Sequence, residues 1–259
     1  NSSRIINFDK KENFWEMGET GPCGPCSEIH YYIGDDLSNQ SKEGVNKADE
    51  YWELWNLVFI QNERLADGSL INLSQSHVDT GAGLERITSV IQGKTSNYET
   101  DLFQPIIKEL ESSSECKYAD NPVPFQVIAD HIRMLCFSIA DGALPSNEGR
   151  GYVLRRILRR ASRFGRVLKL EKPFLHKIVP SVCNLMGDAY PELKEKSTHI
   201  KLVIGTEETL FNQTLDRGIT HLEKLMSSLK SSKTILGSDA FRLYDTYGFP
   251  LDLTQDALR

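Results

Sequence analysis

The chain has 259 residues, and its 30 Lys and Arg against 36 Asp and Glu give a formal net charge of −6. This length exceeds the ~150-residue prior for one domain, so two domains are expected, and 25% charged with 39% apolar residues excludes a disordered or fibrous chain. No apolar run approaches the ~18 residues that span a membrane, and no signal-peptide pattern opens the sequence. Five scattered cysteines do not make a disulfide framework, so a reducing, cytoplasmic setting without a membrane partner is expected. The first residue is Asn1 rather than Met, and the sequence reads as cut from something longer.

The charge is unevenly shared. Residues 1–113 hold 9 basic and 19 acidic side chains, a net of −10, and residues 114–259 hold 21 and 17, a net of +4. The polar, proline-punctuated stretch from Ser112 to Pro124 separates the two and is read as the domain boundary.

In the first half Ile29, Tyr31 and Ile33 alternate with Glu28, His30 and Tyr32, the period of a half-buried strand. Tyr51 to Gln61 is an aromatic and β-branched run suited to a second strand, and Ala66-Asp67-Gly68-Ser69 reads as a hairpin turn. After Gly83, Leu84, Ile87, Val90 and Ile91 fall at helical spacing. The second half reads as helices. Pro124 opens one that Gly142 closes, Gly151 to Phe164 forms another, and Ser197 to Leu229 is a long amphipathic helix weakened at Gly205 and Gly218. Ser238 is placed to cap a short helix ending before Gly248. The fold class is therefore α+β.

Three strings carry chemistry. Cys23-Gly24-Pro25-Cys26 spells a redox dithiol, but the residues after it alternate as a strand rather than a helix, and the repeated Gly-Pro step suggests a stiff double turn. Zinc would need four ligands, and a single CxxC with His30 or His77 is a poor supply, so zinc is not expected. In Asp79-Thr80-Gly81-Ala82-Gly83-Leu84-Glu85-Arg86 two glycines before a helix permit close approach of a ligand, Asp79 could hold an ammonium group and Arg86 could lie on a base or reach a phosphate. The bland alternative is a strand-to-helix turn with a surface ion pair. From Arg150 to Lys177 there are 10 basic residues and one acid, and at 100° per residue Arg155, Arg156, Arg159, Arg160, Arg163 and Arg166 occupy a single arc of about 140°. A phosphate backbone is the preferred partner, over a solvated face or salt bridges to the acidic half.

Together these strings resemble the alanyl-tRNA synthetases, a class II family. The resemblance rests on Asn13 to Glu28, Trp55 to Gln61, Gly81 to Arg86, Pro145-Ser146-Asn147-Glu148 leading into the arginine helix, and Phe241 to Pro250, in that order along nearly the whole chain. It implies an antiparallel-sheet catalytic domain over 1–113 and a helical tRNA-recognition domain over 114–259. It further implies formation of alanyl-adenylate from alanine and ATP with Mg²⁺, and transfer of alanine to the terminal adenosine of its tRNA. On this resemblance Gly81, Gly83 and Arg86 bind ATP, and Trp15, Asn56, Val58 and Asp79 form the alanine pocket. Asn147 and Asp245 read a G·U pair in the acceptor stem, while Arg150, Arg155, Arg156, Arg159, Arg160 and Arg163 hold its phosphates. Nothing in the sequence matches the class II motifs 1 and 2, whose arginine stabilises the α-phosphate, so no catalytic residue is assigned and these residues alone are expected to be inactive. A non-catalytic tRNA-binding module derived from such an enzyme is the alternative.

Overall fold

The computed structural model describes residues 4–228, 234–245, 251, 254 and 255. The chain divides into two compact units, Asn1–Leu102 and Phe103–Arg259.

The first unit is a four-stranded antiparallel sheet in the order β1 (Phe14–Glu16), β2 (Gly21–Tyr32), β3 (Tyr51–Arg64), β4 (Leu70–Ala82), followed by helix α1 (Leu84–Ile91). The turn between β3 and β4 holds the Asp67-Gly68 step, where Asp67 Oδ1 accepts from the Ser69 amide at 2.9 Å. The Cys23–Cys26 string is not a double turn. It runs inside β2, where Cys23 pairs with Asn62 and Cys26 with Val58, three steps along β2 matching four along β3. A Cβ on Gly24 would lie 1.9 Å from the Phe59 carbonyl oxygen, so the irregular register itself requires the glycine.

Register also decides which side chains share a face. Cys26 lies opposite Val58 and Val58 opposite Asp79, while Glu28 lies opposite Asn56 and Asn56 opposite Gly81. Trp15 pairs with Gly24, two positions before Cys26. With the two-residue strand period, Asn56, Val58, Asp79 and Gly81 occupy one face, and Trp15 on β1 lies across the irregular stretch of β2 from them. The other face carries the exposed side chains of Ile29, Tyr31, Trp55, Phe59 and Val78.

The second unit is helical: α2 (Gln104–Ser113), α3 (Pro122–Ala140), α4 (Gly149–Val167), α5 (Leu175–Met186), α6 (Pro191–Glu195), α7 (Ser197–Ser228) and α8 (Gly237–Asp245). Helix α2 precedes the Ser112–Pro124 stretch yet belongs here, since Ile106, Ile107 and Leu110 are fully buried and it packs against α3 and α5. Pro122 and Pro124 both sit in the first turn of α3, where a missing N–H costs nothing. Among the described residues α3 alone is long and apolar enough on average to pass for a membrane span, although Gln126, Asp130, His131 and Arg133 interrupt it. In this unit it is a core helix, with Phe125, Ile128, Ile132, Leu135 and Ile139 buried and neighbours in α4 and α5. Helix α8 begins at Gly237, which places Ser238 inside its first turn rather than at the cap. Its Leu243 packs with Phe211, Leu215 and Leu222 of α7.

Candidate functional site

On the sheet, the common face gathers a small polar floor. Val58 is buried at 6% exposure beside Cys26 at 7%, and Trp15 is half-buried. Asn56 Nδ2 donates to Glu28 Oε1 and Glu53 Oε1, both at 3.4 Å, and Glu28 Oε2 lies 2.9 Å from His30 Nε2. Asn56 Oδ1 and His30 Nδ1 are buried without a hydrogen-bond partner. An unsatisfied buried polar atom costs about 1–3 kcal/mol, so these atoms mark a place where a ligand's donor or acceptor would be stabilising. Asp79 lies exposed beside them on β4.

The glycines of the third string behave differently from Gly24. A Cβ on Gly81 would meet nothing within 4 Å, and one on Gly83 would make only ordinary contact with Arg86, at 3.6 Å. Neither has a positive φ, so the described fold does not demand glycine at either position. What Gly81 provides is open space on the face that carries Asn56 and Asp79. Arg86, in the first turn of α1, donates from Nη1 to the Glu53 carbonyl at 2.8 Å, tying the helix to β3.

Both cysteines of the CxxC string are free and buried. Burial, with Glu28 and Glu53 nearby, pushes the Cys26 thiol up, the reverse of what a redox dithiol needs. Among the described residues no group of three or more His, Cys, Asp or Glu side chains is gathered to hold a metal ion.

In the helical unit the arginines of α4 divide. Gly151, Leu154, Leu158, Ala161, Ser162 and Gly165 form its buried stripe. Along the flank facing α7, Arg155 grips Glu207 through Nε and Nη2 at 2.9 and 3.1 Å, and Arg159 reaches the same carboxylate at 3.5 Å. Arg166 pairs with Asp216 at 2.9 Å, and Ser162 Oγ donates to Asn212 at 3.2 Å. Arg159 also lies over the Phe211 ring at 5.2 Å, and desolvation lowers its pKa. Arg150, Arg156 and Arg160 are exposed, the latter two over Tyr152 and Phe164. Arg163 is half-buried over Phe164.

Asn147 is exposed in the loop before α4, and its Oδ1 accepts from Arg155 Nη1. The loop is held against the helix, with the Ser146 amide donating to the Gly151 carbonyl at 3.0 Å. A Cβ on Gly151 would lie 2.2 Å from Ser146 Oγ, so this contact needs glycine. Asp245 is the last residue of α8, and its side chain lies outside the described residues.

Sequence reasoning missed Glu207 and the polar floor of Glu28, His30 and Glu53. The alternation through Glu28 and His30 gave a signal for those two; Glu207, in the middle of a long helix, gave none.

A family profile described as "tRNA synthetases class II (A)" matches residues 1–259. The chain is 51% identical to an alanine–tRNA ligase of Magnetococcus marinus over 100% of its own length and 30% of that protein. It is 52% identical to one from Chlorobium chlorochromatii (98% of this chain, 30% of that protein) and 50% identical to one from Ruegeria (99% and 29%). The chain thus spans about 30% of the length of the relatives it matches. With a family match over every residue and an antiparallel sheet beneath it, this chain belongs to the class II (A) tRNA synthetases.

Proposed function

We propose that this chain is the part of an alanine–tRNA ligase that holds the alanine pocket, the third class II motif and the acceptor-stem-binding helices. The observation that supports this reading is that Asn56, Val58, Asp79 and Gly81 share one face of the sheet, with Trp15 on the same sheet in β1. In it, the Asp79 carboxylate holds the alanine ammonium by a charge-assisted hydrogen bond, and the unpartnered Asn56 Oδ1 accepts from the same group. Trp15 and Val58 wall a space for one methyl. Such a pocket excludes larger side chains by size but favours alanine over glycine by only about 1–3 kcal/mol.

ATP lies over Gly81 and Gly83, with the guanidinium of Arg86, steadied by the Glu53 carbonyl, stacking on the base or contacting phosphate. Mg²⁺ would enter as the ATP complex and would supply neutralisation of the phosphate charge. The helical unit takes the acceptor stem of tRNA(Ala), with Asn147 and Asp245 at the base edges of the shallow groove and Arg150, Arg156 and Arg160 on phosphates. Arg155 and Arg159, expected from sequence in the same role, are engaged with Glu207, and half-buried Arg163 lies over Phe164. The setting is cytoplasmic.

Residues 1–259 contain no match to the motif 2 arginine, and as a polypeptide they form no alanyl-adenylate. Exchanging them for the matching third of the Magnetococcus marinus ligase tests the reading. The chimera should catalyse alanine-dependent ATP–pyrophosphate exchange while the isolated chain does not. Exchange by the isolated chain, or tRNA binding with an inert chimera, would favour respectively a complete site or a non-catalytic tRNA-binding module.

A further inference from the structure

Arg155 is a three-way junction. Its Nε and Nη2 edge grips both oxygens of Glu207 at 2.9 and 3.1 Å, and its remaining arm, Nη1, donates to Asn147 Oδ1. Glu207 is only 7% exposed, and among the described residues the charged groups on it are Arg155 and Arg159. A guanidinium is planar, so a carboxylate that engages one edge sets the direction of the opposite arm. The residue before Asn147 is tied to α4, with the Ser146 amide donating to the Gly151 carbonyl. With Oδ1 held as well, the exposed amide keeps its Nδ2 hydrogens for an outside acceptor.

We infer that Glu207 is a positioning residue for stem recognition, acting through Arg155 to orient the Asn147 amide as a donor toward a pyrimidine O2 or ribose hydroxyl in the shallow groove. This rests on the proposed reading of Asn147 as a base-edge contact. A pyrimidine moves across the groove between wobble and Watson–Crick geometry, so an oriented donor distinguishes the two, whereas a freely rotating amide presents donor and acceptor alike. Arg155 is then a specificity device rather than a phosphate ligand.

The test is fluorescence anisotropy of the whole 259-residue chain with RNA hairpins differing only in one G·U or G·C stem pair. Glu207→Gln is expected to reduce the G·U preference about three- to tenfold, the range for losing one oriented hydrogen bond. Asp216→Asn loosens the same α4–α7 seam at Arg166 and should leave that ratio unchanged. In an Asn147→Ala background Glu207→Gln should change the ratio no further, which a merely structural role would not produce. If Glu207→Gln does not fold, Arg155→Lys keeps a cation on Glu207 without spanning to Asn147, and the same loss is expected. A full G·U preference in the Glu207 or Arg155 variant, with the preference lost in Asn147→Ala, overturns the positioning role. A preference unaffected by Asn147→Ala, or absent from the wild-type chain, overturns the reading of Asn147 itself.

Discussion

Glu208 should make the helical unit less stable as pH rises, and Glu208→Gln should abolish that trend. The side chain is fully buried on α7 and accepts from the Phe174 amide at 3.1 Å and the Leu175 amide at 3.0 Å, capping the start of α5 from across the core. Desolvation dominates over these hydrogen bonds and over Lys177, raising the carboxyl from 4.5 to about 7. Because the folded value lies above the unfolded one, the native state holds the proton more tightly. Stability from this group is therefore fully present below about 4.5 and lost as pH rises through about 7. At ~1.4 kcal/mol per pH unit the loss is about 3 kcal/mol. Urea unfolding followed by far-UV circular dichroism reads the helices, whereas Trp15, Trp52 and Trp55 all lie in the sheet unit. Between about pH 4.5 and pH 8 the wild-type curve should fall relative to Glu208→Gln by about 3 kcal/mol. Parallel curves would refute the burial argument.

Three other outcomes are expected. Gly81→Ala, whose added Cβ meets no neighbour within 4 Å, should leave the melting temperature unchanged yet impair alanine-dependent exchange in the chimera; unchanged exchange would remove Gly81 from the site. Arg160→Ala should weaken G·U and G·C stems equally and lower the slope of log affinity against log salt by about one, as for a single phosphate contact. An unchanged slope there would place phosphate binding elsewhere. In the folded chain Cys26 should resist thiol reagents near neutral pH, since burial and Glu28 raise its pKa, and rapid modification would revive the dithiol reading.

Local periodicity made much of this fold legible. The β3–β4 turn, α1 after Gly83, and helices α3, α4 and α7 follow from residue spacing within each element. Helix α2 was passed over although Pro105 in its first turn and buried Ile106, Ile107 and Leu110 carry the signal, and α5 was hidden by the internal Pro180. The Cys23–Cys26 string misleads because Gly and Pro usually mark turns, whereas here they serve a strand with irregular register. The arginine face could not be divided from sequence, since its carboxylates lie some 50 residues away on α7. Likewise, that Asn56, Val58, Asp79 and Gly81 share a face follows only from the β3–β4 register.

The sheet face around Asp79 is proposed to recognise the ammonium of alanine. That recognition is tested by alanine-dependent ATP–pyrophosphate exchange in the chimera carrying Asp79→Asn, a near-isosteric change that removes the charge and replaces one acceptor oxygen with an amide donor. Loss of a charge-assisted contact of about 1.5–3 kcal/mol predicts a fall in kcat/KM for alanine of roughly 10- to 150-fold, with the KM for ATP little changed. An Asp79→Asn chimera that uses alanine as well as its parent would contradict the account.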